Sequence, residues 1–168
     1  MNDYWLAKLI SSVGKVDSRK RLQKAVYLLQ SAGCPLKCDY ILHYYGPYSF
    51  DVAALVNCLD GADIIEETPK GNRYEVHSID KGKAALKRFE KTPKGKSLLS
   101  QIQQFVPLFE QLNAENLWVL ELAATITYFH QNDWTEAKEQ TAKFKSVPLT
   151  DSKLQKAEEL AKKFQKAT

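Results

Sequence analysis

Between Arg21 and Gly82 the chain passes through four kinds of segment in a fixed order, and that order constrains the fold more than any single motif does. An amphipathic run, RLQKAVYLLQSAG, precedes an aromatic turn, YYGPYSF, which leads into a short apolar helix, FDVAALVNCL. Two strand-like pieces follow, ADIIEET and NRYEVHS, joined by PKGN. Leu22, Ala25, Val26 and Leu29 recur at helical spacing, as do Val52, Leu55, Val56 and Leu59, whereas Tyr74 and Val76 alternate as a strand does. Helix, turn, helix and hairpin in this order predict a mainly α (α+β) chain. Its N-terminal unit is expected to resemble a winged helix-turn-helix with a small β-hairpin, followed by a C-terminal helical bundle.

The flanking segments extend that reading. A first helix is expected over Asp3 to Val13, ended by Gly14, and a second after Ser18, whose hydroxyl is placed to cap it. YILHYY is too aromatic for a solvated loop and predicts a short strand or extended segment packed on the core. Ser49 is placed to cap the next helix, Pro69-Lys70-Gly71-Asn72 to form a hairpin tip, and Asp80 to cap a basic helix reaching about Glu90. Thr92-Pro93-Lys94-Gly95 is the best internal boundary, dividing a winged-helix-like domain, 1–93, from a helical subdomain, 94–168. In the second part Leu98, Ile102, Phe105, Val106 and Phe109 mark a helix that Pro107 kinks or splits. Asn113 is placed to cap a helix apolar around most of its circumference, and two amphipathic pieces follow, Trp134 to Phe144 and Asp151 to Phe164.

Composition bounds the function classes. The chain has 168 residues, 44% hydrophobic and 26% charged, with a formal net charge of +4. Met1 to Gly95 carries 15 basic and 11 acidic residues and the remainder nine of each, so the excess lies in the first half. It gathers at Arg19, Lys20, Arg21 and Lys24 and again between Lys81 and Lys96, as a phosphate-facing surface or as solvated helix faces. No apolar run approaches the roughly 20 residues needed to cross a bilayer, and MNDYWLAKLISS lacks the basic end and apolar centre of a signal peptide. The expected location is the cytoplasm, where Cys34, Cys38 and Cys58 would remain free thiols.

In Tyr45-Gly46-Pro47-Tyr48-Ser49, Gly supplies a backbone angle closed to other residues, Pro fixes the next, and the rings bring apolar area with a hydroxyl handle. The motif therefore predicts a rigid corner. Together with Arg21-Leu-Gln-Lys-Ala-Val-Tyr-Leu-Leu upstream, it resembles the YwgA-like bacterial proteins. More distantly it is similar to the SocA-like antitoxin (Panacea) domain, in which a KLQKLLY helix precedes a YGP turn. The resemblance covers about Ser18 to Asp80 and implies neutralising or adaptor activity through protein contacts.

The expected function is a non-catalytic protein-binding module with a site formed by Lys24, Tyr27, Tyr44, Tyr45, Gly46, Pro47 and Tyr48. The alternative is a DNA-binding regulator that uses Arg19, Lys20, Arg21, Lys70, Asn72 and Arg73. The helix from Phe50 to Leu59 carries no Lys or Arg, which argues against major-groove readout. His43, His77 and His130 fall in no catalytic motif, so no enzyme is expected. Cys34, Cys38, His43 and Cys58 have zinc-type chemistry at loose spacing among hydrophobic neighbours, and buried thiols are the better reading. No cofactor or metal is therefore assigned. The partners admitted are a protein, a nucleic acid and, through the C-terminal helices, a second copy of the chain; a membrane is not among them.

Overall fold

In the computed structural model of the chain, which describes residues 1–166, the first apolar stripe forms α1 (Asn2–Val13), stopped by Gly14 at positive φ. A two-residue strand, β1 (Lys15–Val16), leads to α2 (Arg19–Ser31). Ser18 caps this helix as expected, its Oγ accepting from the Arg21 N–H at 3.1 Å and satisfying a donor that the helix itself cannot. After a connector come β2 (Ile41–His43), β3 (Gly46–Tyr48) and α3 (Phe50–Gly61), where Ser49 Oγ accepts from the Val52 N–H at 3.2 Å. Then follow β4 (Ile65–Lys70), β5 (Arg73–Ser78) and α4 (Asp80–Glu90).

The two sheets are small and antiparallel. β2 pairs with β3, whereas β1, β5 and β4 form a three-stranded sheet in that order, with Val16 opposite Val76 and Ile65 opposite Ser78. Val16, Val76 and Ile65 turn inward and are buried.

The remaining chain is helical: α5 (Pro93–Ile102), a 3₁₀ turn at Gln103–Phe105, α6 (Val106–Ala114), α7 (Leu117–Phe129), α8 (Trp134–Lys145) and α9 (Ser152–Lys163). The molecule is thus mainly α (α+β). Helix α7 is the axis of this half, buried without interruption from Val119 to Thr127 and packed against α2, β3, α8 and α9. Buried residues on both sides of Pro93 belong to one hydrophobic cluster, and Trp5 Nε1 donates to the Leu98 carbonyl at 3.1 Å. None of the helices among the described residues is long and apolar enough to cross a membrane.

Several local expectations are corrected. YILHYY does form a strand, but Ile41 and His43 are exposed and Leu42 only half-buried, because the aromatic residues form the outer edge of a hairpin. Pro69 and Lys70 belong to β4, paired with Tyr74 and Arg73, which leaves Gly71-Asn72 as a two-residue tip. Proline is tolerated there because β4 is an edge strand. Asn116, not Asn113, caps α7, its Oδ1 accepting from the Trp118 and Val119 N–H groups at 3.0 and 3.1 Å. Asn113 instead donates to the Lys15 carbonyl at 3.0 Å, tying α6 to β1. Asp80 is the first residue of α4 and makes no cap bond. Pro107 stands in the first turn of α6, where its missing N–H costs nothing, and the helix before it is split by the 3₁₀ turn.

The approach of α4 to the start of the hairpin gives a direct test of this packing. A Cβ on Gly82 would lie 1.9 Å from the carbonyl oxygen of Ile64, a backbone atom that cannot swing aside. Gly82→Ala should therefore destabilise the chain by at least about 2 kcal/mol in urea unfolding. Gly61→Ala, in open space at the end of α3, should be neutral or stabilising by up to about 1 kcal/mol. Equal effects of the two substitutions would contradict the packing.

Candidate functional site

The site begins with how α2 holds the β2–β3 hairpin. Gln23 uses both ends of its amide on one residue: Nε2 donates to the Ser49 carbonyl at 2.8 Å, and Oε1 accepts from the Ser49 N–H at 2.9 Å. Its neighbour Lys24, only 2% exposed, donates from Nζ to the Pro47 carbonyl at 2.7 Å. These bonds satisfy the buried Ser49 N–H and Pro47 carbonyl and give the Ser49 carbonyl a second donor beside the Ala53 N–H. Gly46 takes φ +90°, and a Cβ there would lie 2.8 Å from Thr125 Oγ1 on α7. The corner is therefore wedged between α2 and α7 at a residue that must be glycine on two counts.

Glu121 of α7 is the buried anion beneath this corner. Lys145 of α8 donates to its Oε1, and Lys20 of α2 forms an ion pair with its Oε2. Lys145 also donates to the Tyr44 carbonyl at 2.9 Å, so the hairpin is fastened at its tip as well as its base. Burial lowers the Lys24 amine to about 8; Glu121 works against that shift, while Lys145 and Lys20 add to it.

With its backbone fixed, the hairpin presents its rings outward. Tyr44 is 77% exposed, Tyr45 52% and Phe50 68%. Tyr44 meets Tyr45 edge-on with centroids 5.1 Å apart, and Tyr48 meets Phe50 in the same way at 5.1 Å. His43 lies between the pairs, 6.1 Å from Tyr45 and 5.8 Å from Tyr48. The result is a continuous aromatic ladder whose two end pairs have the edge-to-face geometry that ring quadrupoles favour, joined by His43 stacked on Tyr45 and tilted to Tyr48.

Beside the ladder, between the two hairpins and the start of α2, lies a cleft of about 640 Å³. Arg19, Lys20, Lys24 and Arg73 line it, and Tyr45, Tyr48 and Tyr74 supply its rings. None of the described side chains that line it is a carboxylate. Lys20 Nζ lies 4.7 Å from the Tyr45 ring centroid, and the Arg19 guanidinium 5.7 Å from that of Tyr74. Arg19 is also held from behind, donating to both carboxylate oxygens of Glu67 and to Asn57 Oδ1.

The residues singled out in the sequence thus divide by location. Lys24, Gly46 and Pro47 are buried anchors, while Tyr44, Tyr45 and Tyr48 form the outward surface. Tyr27 packs edge-on against Tyr40 at 4.7 Å, and burial raises its phenol well above the ordinary range. Arg19, Lys20, Asn72 and Arg73 converge on the same cleft as Tyr45 and Tyr48. Arg21 is buried, donating to Asp17 at 2.8 Å and to the Glu115 carbonyl. Lys70 stands 3.4 Å from Glu75. Cys34 and Cys38 are buried and Cys58 exposed, and no three His, Cys, Asp or Glu side chains gather as a metal site among the described residues. Sequence reasoning missed Glu121, Lys145, Tyr74 and the Gln23 clamp. Only Gln23 left a trace, as an amide set within a buried helix face.

No protein-family model matches the chain. Over 147 residues it is 28% identical to the uncharacterized protein YwgA of Bacillus subtilis (strain 168), an overlap that covers 84% of this chain and 82% of that protein. The likeness to a YwgA-like protein therefore extends well beyond the two motifs and through much of the helical half.

The buried amine makes a pH prediction. Between about 8 and 10.5 the folded chain has released the Lys24 proton while the unfolded chain retains it, so this group's contribution to stability rises with pH. Lys24→Met abolishes that dependence. The wild type's unfolding free energy relative to the variant should grow by up to about 3 kcal/mol from pH 7.5 to 10.5. Taking the difference cancels the opposite trend of the Cys34 and Cys38 thiols, which burial pushes up to about 11. Urea melts of both proteins at the two pH values measure it, and a gap that does not change would exclude a lowered Lys24.

Proposed function

We propose that the chain is a non-catalytic protein-binding module, an adaptor or antitoxin-like neutraliser, and that the β2–β3 hairpin with the first turn of α3 is its partner-facing surface. The observation that carries this reading is the aromatic ladder, in which Tyr44 and Phe50 are 77% and 68% exposed on a backbone tied down at both ends. Exposed aromatic residues are the usual anchors of protein interfaces, and a pre-ordered backbone lowers the entropy cost of docking. The motif resemblance to the SocA-like domain supports the same class of activity by analogy alone.

A second reading, a DNA-binding regulator, draws support from a strand, two helices and a hairpin in that order, with the hairpin's β5 paired back onto β1, an arrangement that a winged helix would require. Asn72 and Arg73 at the wing would contact the duplex together with Lys20. Helix α3 speaks against base readout. Its exposed Asp51 accepts from the Asp39 N–H at 2.8 Å, and its exposed Asn57 is taken by Arg19.

Tyr44→Ser with Phe50→Ser alters two exposed rings and should leave circular dichroism and the melting temperature essentially unchanged. A partner recovered from an extract of the source cells, then rebuilt with purified protein, should bind this double variant at least about tenfold more weakly than wild type. Equal binding by both would remove the ladder from the interface. Retardation of duplex DNA with steep salt dependence, lost in Lys70→Gln with Arg73→Gln, would instead establish the regulator reading.

A further inference from the structure

The cleft between the two hairpins has features that a protein-docking surface does not require. Its volume of about 640 Å³ is that of a small-ligand site. Its cations are unequally committed: Arg19 is engaged by Glu67 and Lys20 by Glu121, whereas Arg73 has no carboxylate partner among the described residues. Lys24 is the more telling case. An ammonium carries three donors, and this one, buried in the cleft floor, makes a single hydrogen bond among the described residues, to the Pro47 carbonyl at 2.7 Å. Glu121 attracts this amine but is itself paired with Lys20 and Lys145, so the spare donors of a buried charge call for a further anion. The positive end of α2, at Ser18, Arg19 and Lys20, opens into the same space.

The rings specify the remainder of the ligand. Tyr48 from the first hairpin and Tyr74 from the second line the cleft with rings of the kind that stack on a flat heterocycle, Tyr74 with the Arg19 guanidinium beside it, and Asn72 brings an amide with both a donor and an acceptor. An acidic peptide would match the charge but leave the rings without a planar partner. We propose that this cleft binds a nucleoside phosphate, with the phosphate on Arg73, Lys24 and Lys20 and the base against Tyr74 and Tyr48.

Binding then depends on pH in a defined direction. Glu121 of α7, Lys145 of α8 and Lys20 of α2 bear on the Lys24 amine, and His43, Arg19 and Arg73 line the cleft around it. A phosphate holds the Lys24 proton in place, so affinity is greatest below about 8 and falls as the pH rises past that value.

The test is titration calorimetry on the full chain with ADP, GDP, CDP and UDP. Inorganic phosphate, adenosine, an Asp/Glu hexapeptide and a single-stranded oligonucleotide are the comparison ligands. The expected result is saturable one-to-one binding of a nucleotide, at least about tenfold tighter than phosphate or adenosine alone. Arg73→Gln and Tyr74→Ala, both at exposed positions, should each weaken it by about tenfold, and it should weaken from pH 7 to 9.5 in the wild type and in His43→Gln alike. No saturable heat with any nucleotide at millimolar concentration, indifference to both cleft variants, or tighter binding of the peptide or oligonucleotide would each overturn the proposal. Neither Tyr44 nor Phe50 lines the cleft, so loss of partner binding in their double variant is a separate result.

Discussion

The grip of Gln23 and Lys24 on the backbone from Pro47 to Ser49 is the constraint on which the site depends. Three hydrogen bonds from adjacent residues of α2 reach across 23 to 26 positions of sequence and satisfy carbonyl and amide groups enclosed by α2 and α7. Removing Gln23 would leave the buried Ser49 N–H without a partner and removing Lys24 the Pro47 carbonyl, at a cost of about 1–3 kcal/mol for each. The clamp also explains why the two motifs occur together. A helix bearing Gln-Lys has nothing to hold without the Gly-Pro turn, and the turn would not keep its shape without the clamp.

Because the clamp acts on the backbone, the side chains of the hairpin are free to face outward. Rings as large as those of Tyr44, Tyr45 and Phe50 would otherwise fold back onto the nearest apolar surface, since each buries substantial area when enclosed. Lys145 fixes the backbone at the tip by holding the Tyr44 carbonyl while its charge is neutralised by Glu121. An exposed aromatic surface is thus maintained by buried polar chemistry, which is the pre-organisation that binding surfaces require.

What the sequence made legible follows the range of the forces involved. Serine caps at Ser18 and Ser49, the apolar stripes of α2 and α3, and the β4–β5 hairpin are decided within a few residues and were readable. The tip of that hairpin was misplaced because Pro69 tolerates a strand edge as well as a turn, and only the sheet order decides between them. The cap of α7 was misplaced because Asn113 and Asn116 are equivalent in sequence until one is called away to β1. Glu121 and Lys145 were invisible for a stronger reason. Lys145 meets Tyr44 across 101 positions, and nothing local to α7 or α8 indicates that a hairpin from the other half lies against them.

The absence of cations on α3 now has a physical counterpart. Four cations of the first half gather instead around the cleft: Lys20 and Lys24 of α2 near Glu121, and Arg73 with Arg19, which also reaches Asn57 of α3. Tyr45 stands at the seam: it belongs to the exposed ladder through Tyr44 and His43 and to the cleft through Lys20. On the two proposals, an anion that drew Lys20 away from that ring would change the electrostatic support of a ladder residue, and a partner that covered Tyr45 would change the wall of the cleft. Linkage makes such an effect reciprocal, so whatever free energy one occupant transmits to the other site is returned in equal measure. Tyr45 is thus the residue through which the proposed cleft site and the proposed docking surface would be linked.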